Sequence, residues 1–220
     1  MGWKTSLIII ENPDGVKDEF KILEAIGKEK YRFEKKILFK DCLYPKDKSI
    51  SIGYYNGNII ISDDYQITNQ ILENANGLYL TKEEKLLCGL FPRSEIVTIA
   101  CHSVVNYHGY SLIQNSEKKR LKTISTDASL VEFGQRTTEE TKVYDLSYQR
   151  DGKNFWTDKS DPNIEYSEDQ LMEDFVFGIA QRRLGVYIDQ SEGDELRETV
   201  SFNKYIRPNI FSRVLSYLKP

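Results

Sequence analysis

The sequence predicts an α+β fold: a largely antiparallel sheet, mixed at most, with helices packed on one face. Three observations carry this. Helical periodicities fall between strands early in the chain, and strands cluster in the middle. "SISIGYYNGNIIIS" (49–62) sets two β-rich runs about Asn56-Gly57, the pair preferred in a type I′ hairpin turn. "SEDQLMEDFVFGIAQRRLG" (167–185) is an amphipathic helix, with Leu171, Phe175 and Ile179 on one stripe.

The elements follow in order. "TSLIIIE" (5–11) is an apolar run stopped by "NPDG", so it reads as a buried strand. "VKDEFKILEAIG" has helical spacing at Phe20, Leu23 and Ile26, with Gly27 where a C-cap belongs. "YRFEKKILFK" reads as a strand. After the hairpin, "DDYQ" opens a helix with Ile67, Ile71, Leu72 and Ala75 on one face, and Asp63 and Gln66 stand at capping-box spacing. Thr81 and Glu84 repeat that spacing before "KLLCGLFP", a short helix stopped by Pro92. "EIVTIACHSVVNYHGYSLIQ" (95–114) reads as one long strand or two consecutive ones. "NSEKK" is a turn, "RLKTIST" the returning strand, and "DASLVEFG" extends the meander. From Glu139 to Tyr166 the chain is polar, and "QRDGKNFWTDKSDPN" (149–163) within it reads as a long loop. Ser167 and Gln170 cap the late helix, and "NIFSRVLSYLK" (209–219) closes the chain as a short helix. No repeat and no flexible linker divides the chain, so one domain spans 1–220.

Bulk composition narrows the function. The chain has 220 residues, 40% apolar and 29% charged, an ordinary globular balance. A net charge of -4 does not attract polyanions. The one basic stretch with aromatics, "KEKYRFEKK" (28–36), is diluted by Glu29 and Glu34. Nucleic acid is therefore not an expected partner. No stretch approaches the roughly 20 apolar residues that span a bilayer, so no membrane is expected. Cys42, Cys88 and Cys101 are sparse and odd in number, without a C-x-x-C pair. That favours a reducing, cytoplasmic setting over a disulfide framework. "MGWKTS" fits the myristoylation pattern, but Gly2 is read as the residue preceding the first strand. G-x-G spacing, a P-loop, H-E-x-x-H and G-x-S-x-G are all absent, and no cofactor is expected.

Both histidines and one cysteine fall within "ACHSVVNYHGY" (100–110). On one extended strand His102, Val104, Asn106 and His108 share a face, and Cys101 points away. The two histidines then lie roughly 20 Å apart, too far to share an ion with nitrogen ligands at about 2.0–2.1 Å. Only a sharp turn within 106–109 changes this, so no metal site is assigned. His102 is the candidate general base, because histidine titrates near neutral pH. Its candidate catalytic partners are Ser103 and Asp127, with Lys4, Thr5 and Asn106 as ligand-binding positions. Phe155 and Trp156, in a polar stretch, are candidate anchors for a protein partner.

"MGWKT", "HSVVNY" (102–107) and "ISTDASLVEFG" (124–134) together resemble a family of uncharacterised bacterial proteins. Its members open M-G-x-K-T and later carry H-S-V-V-D-aromatic. The resemblance implies attention to Gly2, Lys4, Thr5, His102, Ser103, Asn106, Asp127, Glu132 and Gly134, and supplies no activity. Asn106 departs from the family's Asp, and an amide cannot act as a general base. Asn and Asp can both cap a turn. The reading adopted is a cytoplasmic bacterial protein acting as a non-enzymatic binding or protein-interaction domain, toward a protein partner or a small molecule. The alternative is a hydrolase-like small-molecule enzyme using His102.

Overall fold

The computed structural model describes residues 2–44, 47–73, 77–125, 127 and 129–208. The expected closing helix at 209–219 and Ala75 lie outside them.

Twelve strands and seven α-helices are described. The strands are β1 (Lys4–Glu11), β2 (Arg32–Leu38), β3 (Ile50–Tyr55), β4 (Asn58–Ser62), β5 (Ile96–His102), β6 (Tyr107–Gln114), β7 (Glu117–Ile124), β8 (Leu130–Gly134), β9 (Tyr148–Arg150), β10 (Lys153–Thr157), β11 (Glu165–Ser167) and β12 (Ser201–Ile206). The helices are α1 (Glu19–Ala25), α2 (Phe39–Cys42), α3 (Thr68–Leu72), α4 (Lys82–Leu90), α5 (Thr138–Tyr144), α6 (Met172–Leu184) and α7 (Asp194–Thr199). Nine strands form one sheet in the order β2-β12-β3-β4-β1-β5-β6-β7-β8, and β11-β10-β9 form a small second sheet. Every pairing is antiparallel. The α+β, antiparallel architecture is the expected one.

The expectation that the helices pack on one face is corrected: they divide between the two faces of the sheet, because its middle strands are apolar on both. In β1, Ile8 and Ile10 join Ile22 and Leu23 of α1, Ile71 of α3 and Leu87 of α4. Leu7 and Ile9 join Phe39 of α2, Tyr144 of α5, Phe177 of α6 and Leu196 of α7. An uninterrupted apolar run is what a strand buried on both faces requires. Each of these four β1 side chains is fully buried and contributes about 1.5–3 kcal/mol.

The local turn chemistry is where the sequence places it. Asn56 and Gly57 have φ of 46° and 70°, closing the β3–β4 hairpin. Thr81 and Glu84 exchange capping-box hydrogen bonds, Thr81 N–H to Glu84 at 2.7 Å and Glu84 N–H to Thr81 Oγ1 at 3.2 Å. Asp63 instead accepts the amides of Ile67 and Thr68, so α3 starts later than expected and is shorter.

The segment 149–163 expected as a long loop instead carries most of a hairpin: Asp151-Gly152, with φ of 53° and 73°, turns β9 into β10. In the polar sequence before it, Thr137 and Glu140 form a capping box for α5. Further on, β12 is inserted between β2 and β3 from far along the chain.

A bulge organises β7. Leu112 pairs with Arg120 and Ile113 with Lys118, so Lys119 is an extra residue. Lys118 and Arg120, two positions apart, therefore serve opposite faces. Lys118 pairs with Glu84 of α4 at 2.8 Å, both side chains buried. Arg120 donates through Nε to both carboxylate oxygens of Glu140 at 3.1 and 3.0 Å. Lys122 donates to Tyr144 and Glu168, each at 2.7 Å. Gly134 lies against this bulge: a Cβ there would stand 2.0 Å from the Lys119 carbonyl oxygen.

Candidate functional site

The stretch 100–110 turns back on itself. Ser103–Val105 form a 3-10 turn, and Asn106 takes the left-handed conformation at φ 50°. Asn106 is thus a turn-closing residue, a role that an asparagine fills at low steric cost. β5 and β6 then pair as a hairpin, with His102 opposite Tyr107 and Cys101 opposite His108. The expectation that Cys101 points away from both histidines is corrected: Cys101 and His108 are direct cross-strand neighbours on one face. The extended geometry that separated the two histidines does not apply.

His102 and Ser103 diverge. The His102 ring lies on the α3 face, 6.0 Å from the ring of Tyr65, and its Nδ1 is buried without a hydrogen-bond partner. The ammonium of Lys4, opposite His102 on β1, stands 5.9 Å from the same Tyr65 ring. Tyr65 donates its hydroxyl to the Cys101 carbonyl at 2.6 Å. Ser103 turns to the other face, where its Oγ donates to Glu173 Oε2 at 2.6 Å and accepts the Trp3 amide at 3.0 Å. Asp127 is exposed in the β7–β8 turn, accepting from the Ser125 hydroxyl and from the Ser129 amide at 3.1 Å. The Ser125 bond holds its carboxyl below the usual carboxylate range. The proposed His102, Ser103 and Asp127 constellation is therefore not assembled, and Asp127 holds a turn.

What the fold does assemble is a polar row on the α6 face. Thr5, Cys101 and His108 stand opposite one another on β1, β5 and β6. Glu173, in the first turn of α6, closes over them. Ligand-type atoms of Cys101, His108 and Glu173 all lie within 4.8 Å of one another. Cys101 Sγ is 3.6 Å from Ser103 Oγ and 3.8 Å from Glu173 Oε2. The Trp3 ring packs edge-on against Phe177 at 5.3 Å and stacks on Tyr44 at 6.1 Å. Gly2 leaves the space this requires, since a Cβ there would meet Ser103 Cβ at 2.9 Å.

Burial governs the electrostatics of the row. The Cys101 thiol is pushed up to about 12, chiefly by desolvation. It is protonated near neutrality and is no free thiolate nucleophile. Burial holds His108 below its ordinary value, against the opposing charge of Glu173. Two polar atoms of the row, Thr5 Oγ1 and His108 Nδ1, are buried without a hydrogen-bond partner.

The aromatic pair expected to meet a partner does not stand exposed. Trp156 is 5% exposed and donates Nε1–H to the Val143 carbonyl at 2.7 Å, within the α6-face core. Phe155 is half-buried, stacked on Tyr148 at 6.1 Å with the Arg150 guanidinium 4.3 Å from its ring. Both residues anchor the small sheet.

Sequence reasoning missed Glu173 and Trp3. Glu173 with Asp174 reads as an acidic pair favoured at a helix N-terminus, and nothing local says which strand it meets. Among the described residues no helix is long and apolar enough to cross a membrane. No protein-family model, curated protein or solved structure compared with the chain matches it.

Proposed function

We propose that this chain is a non-enzymatic protein-interaction domain that binds an extended, alternately apolar strand of a partner along β8. The observation that carries this is the contrast between the two edges of the large sheet. β2 presents Arg32, Glu34, Lys35 and Lys36 within seven residues, the charge pattern that discourages strand addition. β8 carries a single charge, Glu132, and that carboxylate is held by Arg120. Leu130, Val131 and Phe133 of β8 are each about two-fifths exposed, at 39%, 41% and 39%. An open edge with apolar side chains offers main-chain hydrogen bonds for affinity and side-chain contacts for selectivity. Phe133 rests against Gly77, whose φ of 62° and missing Cβ let the ring approach. Three buried free cysteines support a reducing setting such as the cytoplasm for this domain.

The test uses a labelled peptide of the β8 sequence, residues 129–135, as probe strand. Saturable binding by the wild type, with loss of at least tenfold in affinity for Val131→Lys, is the expected outcome. The same variant should abolish any concentration-dependent dimer if the partner strand is a second copy. No binding at millimolar peptide, or equal binding by Val131→Lys, removes the proposal.

A further inference from the structure

We infer that Cys101, His108 and Glu173 form a binding site for a zinc-class divalent metal ion between the large sheet and the first turn of α6. It uses none of the β8 edge and stands or falls independently of the interaction reading.

The donor set fits that chemistry. One thiolate, formed as the ion displaces the Cys101 proton to solvent, one imidazole and one carboxylate are the ligand types zinc takes, and three protein ligands leave a fourth position for water. A tetrahedral ion with Zn–S of about 2.3 Å and Zn–O of about 2.1 Å holds its sulfur and oxygen about 3.6 Å apart. The Cys101 Sγ to Glu173 Oε2 separation is 3.8 Å, close to that span. The cross-strand position of His108 brings the third donor within the same 4.8 Å group.

Two further features point to a ligand. His108 is 4% exposed, and its Nδ1 has no hydrogen-bond partner. Buried polar atoms are seldom left so, and coordination would satisfy an imidazole nitrogen. Ser103 Oγ donates to Glu173 Oε2 at 2.6 Å and is itself held by the Trp3 amide at 3.0 Å. A hydroxyl that fixes the ligating carboxylate oxygen is the outer support that metal ligands normally carry. All four side chains sit on rigid elements or the turn joining them, so the site is formed before the ion arrives.

The experiment is zinc titration of the full chain, stripped with a chelator, against a competing chromophoric chelator. Cobalt(II) substitution is run in parallel. One zinc per chain is expected, with a thiolate-to-cobalt charge-transfer band. Cys101→Ser should remove that band. Glu173→Gln, an isosteric change at a half-buried position, should weaken zinc at least tenfold. Cys88→Ser should change neither reading. If Cys101→Ser does not fold, Glu173→Gln decides. Absence of stoichiometric zinc, or zinc affinity unchanged in Glu173→Gln, overturns the inference.

Discussion

Replacing Lys118 by methionine should destabilise the protein by about 3–5 kcal/mol at pH 7, because it leaves the Glu84 carboxylate buried without its counter-ion. The pair is 2.8 Å apart, with side-chain exposures of 0% and 1%. For a chain of 220 residues each kcal/mol lowers Tm by about 2–4 °C, so a fall of about 6–20 °C is expected. The loss should depend on pH. Burial already raises the Glu84 carboxyl above its ordinary value, and Lys118 opposes that rise. The folded state therefore holds this proton more tightly than the unfolded chain does. Stability from this group is lost as pH climbs from about 4.3 through the folded value. Without Lys118 the folded value rises further, so the variant's deficit is smallest in acid and grows toward neutrality. Thermal and urea unfolding from pH 4.5 to 8 measures this. Adding Glu84→Gln keeps an acceptor for the Thr81 amide and removes the charge, and should restore most of the stability. A Lys118→Met deficit below about 1 kcal/mol with no pH trend is the behaviour of a solvated surface pair, and would refute the reasoning.

Two further substitutions test the reassigned residues. Trp156→Ala should cost about 3–5 kcal/mol in urea unfolding, as for a buried tryptophan, while Trp156→Phe should cost less because only the bond to Val143 and part of the ring are lost. Asn106→Ala should cost about 1–2 kcal/mol at its left-handed φ, and Asn106→Gly should be tolerated; equal losses for both would show that the Asn106 side chain matters beyond the turn.

Local signals were legible where a few neighbouring residues decide the outcome. Asn56-Gly57, the Thr81–Glu84 box and the apolar run of β1 all acted as their patterns indicate. Asp151-Gly152 is a signal of the same kind, hidden within a stretch whose polarity suggested loop, and the Thr137–Glu140 box is another in the polar sequence before it. Asp63 shows the competing principle: its carboxylate could serve several nearby amides, and it took those of Ile67 and Thr68.

The candidate site was less legible because it depends on a turn and on distant pairing. Between His102 and His108 the sequence is β-branched and apolar enough to pass for continuous strand. Asn106 in the left-handed region reverses it, and that one residue exchanges Cys101's isolation for direct opposition to His108. Ser103 keeps its place in the candidate list but with a different partner, since Glu173 is seventy residues further along the chain.

By itself the sequence determined the α+β class, the Asn56-Gly57 hairpin turn, the Thr81–Glu84 cap and the strands whose alternation or apolar continuity is a local property. The tertiary structure decided the insertion of β12 between β2 and β3, the bulge that sends Lys118 and Arg120 to opposite faces, and the meeting of Cys101, His108 and Glu173. The reason is range. Turn and cap energies are set by residues within one helical turn or hairpin of each other. Strand order, by contrast, and the partner of a buried charge or ligand are set by which distant surfaces exclude water together.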